Sequence, residues 1–142
     1  MKISDFIVGE VYKNSEIREA FKVSLMRGMA RGKRTNSLVL VSKHVKASKA
    51  NPYEDKWIGE KLHYTGEGQR GNQSLTSGQN RTLAESSSNG VTLYLFEVLK
   101  QGEYSYRGLV SLDDHPYEMT EKDSDGNSRI VYKFPLTLVG GN

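Results

Sequence analysis

Between Tyr53 and Tyr64 the chain places two tyrosines, its single tryptophan (Trp57) and Asp55 within twelve positions, and then runs into Thr65-Gly66-Glu67-Gly68-Gln69-Arg70-Gly71. Aromatic rings supply flat apolar walls on which a planar group can stack, and a carboxylate accepts hydrogen bonds and so tells a donor from a carbonyl. The short apolar run from Lys61 to Thr65 reads as a strand whose end feeds the glycine-rich loop. Tyr64 and Thr65 then sit where a strand stops and pliable backbone begins, a place where sites are often built. The same residues also fit a plainer reading, in which the strand aromatics are core and Asp55, flanked by Glu54 and Lys56, is a solvated acid.

Other chemistries find fewer supporting residues. Glu54-Asp55-Lys56 has the E-x-K spacing of a metal-dependent nuclease strand, but no acid lies between Glu19 and Glu54 to partner it. His44, His63 and His115 show no metal-ligand spacing. The absence of cysteine removes disulfides, thiolate zinc sites and cysteine nucleophiles together. Met26-Arg27-Gly28-Met29-Ala30-Arg31-Gly32-Lys33-Arg34 fails as a P-loop, because its glycines stand one residue too close and no Ser or Thr follows Lys33. As a basic loop lying along a polyanion it needs only its charge. The residues therefore describe a binding module, not an enzyme, with no cofactor and no metal.

The elements that must position these residues fit one domain, residues 1–142, large enough for a real core. Net charge is only +3, yet Lys22 to Tyr53 holds eight cations and no acid while Glu97 to Asp125 holds eight carboxylates. One basic and one acidic face follow, an arrangement suited to a polyanion on one side. Asn14 reads as the N-cap of a short helix to Phe21, and Lys22–Leu25 as a strand. Ser37–Ser42 is a continuous apolar run and so a buried strand; a second helix is expected from about Gln79 to Ser87, stopped at Gly90. Thr92–Val98, Tyr104–Leu112, Pro116–Lys122 and Ser128–Phe134 read as strands joined by hairpin turns. Six or seven strands with one or two short helices predict an α+β, mainly β fold whose curved sheet closes on itself. Met-Lys-Ile-Ser-Asp opens no long apolar stretch, so a reducing, cytosolic setting is expected.

In this order, Val8-Gly9-Glu10-Val11-Tyr12, Ser37-Leu38-Val39-Leu40, Tyr53 with Asp55, Gly59, Tyr64-Thr65-Gly66-Glu67-Gly68, Gln73-Ser74-Leu75 and Asn80-Arg81-Thr82-Leu83 resemble the SET- and RING-associated (SRA) domain, a reader of modified cytosine in DNA. The matches cover roughly residues 6 to 112, with Tyr53 to Gly59 one residue shorter than the family pattern. The resemblance implies a PUA-like barrel that takes a flipped base between aromatic walls. Tyr64 and Tyr53 would be those walls, with Trp57 replacing or backing Tyr53, or simply packing in the core. Asp55 would accept from the cytosine amino group, and Thr65 would hold the other polar edge. Met26 and Arg27 match the loop that fills the vacated space; the family's second finger has no counterpart beyond Gln69, Arg70 and Asn72. Arg31, Lys33, Arg34, Lys43, Asn80 and Arg81 are the expected phosphate contacts. The implied partner is double-stranded DNA carrying 5-methyl- or 5-hydroxymethylcytosine, and the implied setting a bacterial modification-dependent restriction system whose nuclease domain lies elsewhere. A small metal-dependent nuclease using Glu54 and Asp55, and a PUA-like RNA binder, are the alternatives.

Overall fold

The computed structural model describes residues 1–25, 28–45 and 52–141, so the expectations for Met26 and Arg27 lie outside the described residues. The run expected to be a buried strand is β3 (Ser37–Lys43). Leu38 and Leu40 enter one apolar cluster with Leu62, Leu83, Leu95 and Phe134, while Val39 and Val41 enter a second with Phe6, Ile17, Phe21 and Phe96. A strand covered on both faces has no polar side to show, and this is why its sequence does not alternate.

Around β3 the described residues form nine strands: β1 (Val11–Tyr12), β2 (Met29–Gly32), β4 (Lys56–Ile58), β5 (Lys61–Thr65), β6 (Thr92–Lys100), β7 (Glu103–Leu112), β8 (Tyr117–Lys122) and β9 (Ser128–Gly140), with β3 itself. They make one mixed sheet in the order β2-β3-β6-β7-β9-β5-β4, with β1 added on β7 and β8 on β9. Among the described residues only β3 and β6 pair in parallel. The ends, β2 and β4, do not pair with each other among the described residues, so the expected closed sheet is corrected to an open one. The expected six or seven strands become nine because β1, β2 and β4 have two, four and three residues, too short to carry a legible alternation.

Helix α1 (Asn14–Phe21) forms as expected and buries Ile17, Ala20 and Phe21. Its cap is Lys13 and not Asn14: the Glu16 carboxylate accepts the Lys13 backbone N–H at 2.8 Å, while the Asn14 amide donates to the Tyr104 hydroxyl at 3.2 Å. Lys22 then turns left-handed, with φ 56°, and Val23–Leu25 form no strand, contrary to expectation. The second expected helix is two short ones, α2 (Gly78–Ala84) and α3 (Ser86–Asn89), ended by left-handed Gly90 as its sequence predicts.

The thirteen-residue β9 borders three strands in turn: β8 through Ser128–Lys133, β5 through Lys133–Thr137 and β7 through Leu136–Gly140. Pro135 falls in the handover from β8 to β7, opposite His63 of β5 alone. A residue without an N–H is tolerated where the ladder has one neighbour.

Candidate functional site

The glycine-rich loop after β5 is pinned from several directions. Gly66 N–H donates to the Tyr132 carbonyl at 2.8 Å, and the buried Gln73 amide donates to the carbonyls of Gly66 and Gly68 at 2.6 and 3.1 Å while accepting from Tyr132 N–H at 2.9 Å. Asn80, on α2, accepts from Glu67 N–H at 2.7 Å and donates to the Glu67 and Ser74 carbonyls, each at 3.1 Å. Arg129 of β9 donates to the carbonyls of Gly68 and Gly71. A Cβ at Gly66 would lie 2.7 Å from Asn80 Oδ1 and 3.0 Å from Gln73 Oε1, so only glycine lets these amides close on the loop.

The loop forms one wall of a cavity of about 620 Å³ that also gathers Tyr53, Asp55, Tyr64, Thr65, Gly28 just before β2, Met29 of β2 and Lys43 of β3. Tyr53 is half-buried and its hydroxyl accepts the Gly68 N–H at 3.2 Å, which fixes the ring beside the loop. Tyr64 is only 2% exposed. Its hydroxyl donates to the Gly28 carbonyl at 2.9 Å, so its ring belongs to the cavity floor. Burial pushes both phenols above the usual tyrosine range, Tyr64 the further.

Asp55 is bonded on both oxygens: Oδ1 accepts the Thr65 N–H at 2.7 Å and Oδ2 the Ser42 hydroxyl at 2.6 Å. A carboxylate has about four lone-pair sites, so capacity remains toward the cavity. Burial pushes its pKa above the usual carboxylate range, opposed by the bonds from Ser42 and Thr65 and by the Lys133 charge. Behind Ser42 the polar groups continue. His44 Nε2 lies 3.2 Å from Ser42 Oγ and 2.7 Å from Glu97 Oε2; Glu97 also accepts from Trp57 Nε1 at 2.9 Å and pairs with Arg107 at 3.0 Å. The bond to Glu97 raises His44; burial alone would raise Glu97, but the bonds from His44 and Trp57 reverse that and hold it low. On the other side, Lys133 donates to Thr65 Oγ1 at 2.6 Å, to the Glu54 carbonyl at 2.9 Å and to Glu121 at 2.7 Å.

The expected residues divide accordingly. Tyr53, Asp55, Tyr64, Thr65, Lys43 and Gln69 come together on the cavity. Trp57 does not: it packs on the first apolar cluster and lines a separate, shallower groove with Gly59 and Arg107. Arg31 spends its guanidinium on the carbonyls of Gly32 and Ser37 and on Asn36 Oδ1, within its own hairpin. Lys33 and Arg34 are exposed in that hairpin's turn. Arg81 pairs with Glu85 and Arg70 with Asp125, both at the surface. Asn80 is buried and committed to the loop. Ser42, Lys133 and Arg129 escaped the sequence reading. Ser42 could have been suspected as the polar end of a buried strand, whereas Lys133 and Arg129 carry no local signal.

A family model described as ScoMcrA-like, SRA domain matches residues 8–142. Among similar solved structures, the sulfur binding domain and SRA domain of ScoMcrA complexed with phosphorothioated DNA is 24% identical with a TM-score of 0.76, covering 96% of this chain and 40% of that one. The SUVH5 SRA–methylated CHH DNA complex is 22% identical with a TM-score of 0.66, covering 99% and 94%. The MspJI restriction endonuclease with a 27-mer oligonucleotide is 17% identical with a TM-score of 0.60, covering 82% and 34%. These identities speak for a shared fold, and the chain spans less than half the length of the ScoMcrA and MspJI chains. No curated protein matches. With the family model matched from Val8 to the last residue, the chain belongs to the ScoMcrA-like SRA domain family.

Proposed function

We propose that this chain binds duplex DNA, extrudes a modified cytosine into the cavity beside the glycine loop, and so serves as the targeting module of a modification-dependent restriction system. The observation that carries the reading is one cavity in which a fixed aromatic ring, Tyr53, adjoins a carboxylate, Asp55, and a hydroxyl, Thr65. Its volume of about 620 Å³ lies within the range of small-ligand pockets. A base in a duplex hides its Watson–Crick edge, and extrusion costs a few kcal/mol. Stacking on Tyr53 offsets about 1–3 kcal/mol of this, and a bond from the cytosine amino group to Asp55 adds discrimination against a carbonyl. Lys33, Arg34, Lys43 and Arg81, all exposed, are the proposed phosphate contacts. Asn80 instead holds the loop that shapes the cavity.

The relatives support the choice of ligand class, since the solved SUVH5 SRA complexes contain methylated and hydroxymethylated DNA. The test is a binding panel in one fixed duplex: unmodified, 5-methylcytosine, 5-hydroxymethylcytosine and phosphorothioate, with 2-aminopurine beside the target base to report unstacking. Preferential binding of a modified base with a rise in fluorescence is expected, and Tyr53→Ala should weaken it about tenfold or more while leaving salt-sensitive binding to plain duplex. Equal affinity for all four duplexes with no fluorescence change refutes the reading. Preference for the phosphorothioate alone would move recognition from the base to the backbone.

A further inference from the structure

Resting on that reading, we propose that Asp125 holds Arg70 off the DNA until a nucleotide has been extruded, so that this exposed ion pair helps to set the preference for modified over plain duplex. The two residues stand on segments that are stapled together beside the cavity. Gln69 lines the cavity, and its carbonyl accepts the Ser124 N–H at 3.0 Å. Asp123 accepts the N–H groups of Asp125 and Asn127, each at 2.9 Å, through Oδ1 and that of Gly71 at 3.4 Å through Oδ2. The turn between β8 and β9 is thus fixed on the glycine loop by its own backbone and by Asp123. The Asp125 carboxylate instead accepts from Arg70 Nε at 3.0 Å.

Arg70 is 63% exposed and Asp125 50%, so water already screens the pair, and breaking it costs about two- to fivefold in an equilibrium constant. Asp125 engages one guanidinium donor, Nε, of the five that an arginine has. A phosphate can take two of them at once, in a charge-assisted fork.

A nucleotide turned out of a duplex brings its flanking phosphates to the rim of the pocket that receives it. Arg70 follows Gln69 directly, so extrusion delivers a phosphate where it can displace Asp125. A plain duplex keeps its phosphates on the helix, while Asp125, anchored through the turn, retains Arg70 and repels them. Arg70 is then a phosphate contact in the extruded complex and the partner of Asp125 otherwise.

The experiment measures affinity against salt for one duplex sequence, unmodified or carrying 5-methyl- or 5-hydroxymethylcytosine. The proteins are the wild type, Asp125→Asn, Arg70→Ala and the double variant. For the wild type, the slope of log affinity against log salt should be steeper on the preferred modified duplex by about 0.9, the mark of one added phosphate contact. Asp125→Asn should bind the unmodified duplex about two- to fivefold more tightly and with a steeper slope, so the preference falls by that factor and the slope difference closes. Arg70→Ala should close the difference from the other side, by flattening the slope on the modified duplex, and adding Asp125→Asn to it should leave the preference unchanged. Melting temperatures should match the wild type, because the turn is held by bonds that neither substitution touches. Coinciding wild-type slopes overturn the proposal, as does an Asp125→Asn that keeps the full preference. So does an equal fall in preference without Arg70, which would be plain repulsion between Asp125 and the DNA. A wild type that binds all three duplexes alike refutes the functional reading itself, whereas one that prefers a modified duplex with coinciding slopes refutes this inference alone.

Discussion

Asp55→Asn is the substitution for which the structure dictates an outcome that composition alone would miss. An amide side chain is usually able to turn over and offer either atom. Here Thr65 N–H donates to Oδ1 at 2.7 Å, so the amide oxygen must take that place and the amide nitrogen must replace Oδ2. The nitrogen can donate to Ser42 Oγ, which lies 2.6 Å away and can accept as well as donate. Both bonds inside the protein survive, but the group offered to the cavity changes from acceptor to donor. A base contact of this kind carries about 1–3 kcal/mol of discrimination, so the preference for 5-methylcytosine over thymine should fall about ten- to a hundredfold. Stability should move the other way. Burial raises Asp55 above its ordinary 3.8, so the folded chain binds more protons than the unfolded one between 3.8 and the raised value, and stability falls as pH rises through that window. The neutral amide has no such cost, and the variant should melt at the same or a higher temperature at neutral pH with that slope gone. Competition binding against the two bases and melting curves at acidic and neutral pH measure both quantities. A folded variant that keeps the wild-type base preference, or one several degrees less stable at neutral pH, refutes the reasoning.

Gln73→Leu should strand the carbonyl of Gly66 and the N–H of Tyr132, since Gly68 keeps its bond from Arg129. Urea unfolding should register a loss of roughly 2–4 kcal/mol, and a loss below about 0.5 kcal/mol would mean that the loop does not depend on this amide. Lys33→Ala with Arg34→Ala, both exposed in the β2–β3 turn, should lower the slope of log affinity against log salt by about 0.9 per lost phosphate contact, equally for modified and unmodified duplex. An unchanged slope would place the DNA backbone elsewhere.

How much could be read from the sequence depended on how local each signal was. β3 announced itself because being buried on both faces forces an unbroken apolar run, and Gly90 because a helix end needs its left-handed turn. The gathering of Tyr53, Asp55, Tyr64 and Thr65 was legible because all four lie within thirteen positions and a short hairpin brings them together. The depth of each aromatic was not. Whether a strand tyrosine lines a floor or a mouth depends on what crosses it, and Tyr64 is covered by Gly28 of the β2 segment. Trp57 has the same composition signal as its neighbours, yet β4 turns it toward Glu97, forty residues away. An open sheet and a closed one call for the same strands, and only the pairing of the two end strands, invisible in the sequence, separates them.

The long last strand gives the cavity a history as well as a shape. Sixty-eight residues separate Thr65 from Lys133, and Arg129 and Tyr132 reach the loop across comparable spans. Contacts so distant in sequence form late, because the intervening chain must be closed before they return anything. On a ribosome adding about 5–20 residues per second, several seconds pass between the emergence of Thr65 and that of β9. During that interval β5 has β4 beside it and the loop has Gln73 and Asn80, but the bonds from Arg129 to the loop and from Lys133 to Thr65 are missing. The loop and the edge formed by Asp55 and Thr65 reach their final arrangement only when β9 docks, so a cavity of this shape is a late product of folding.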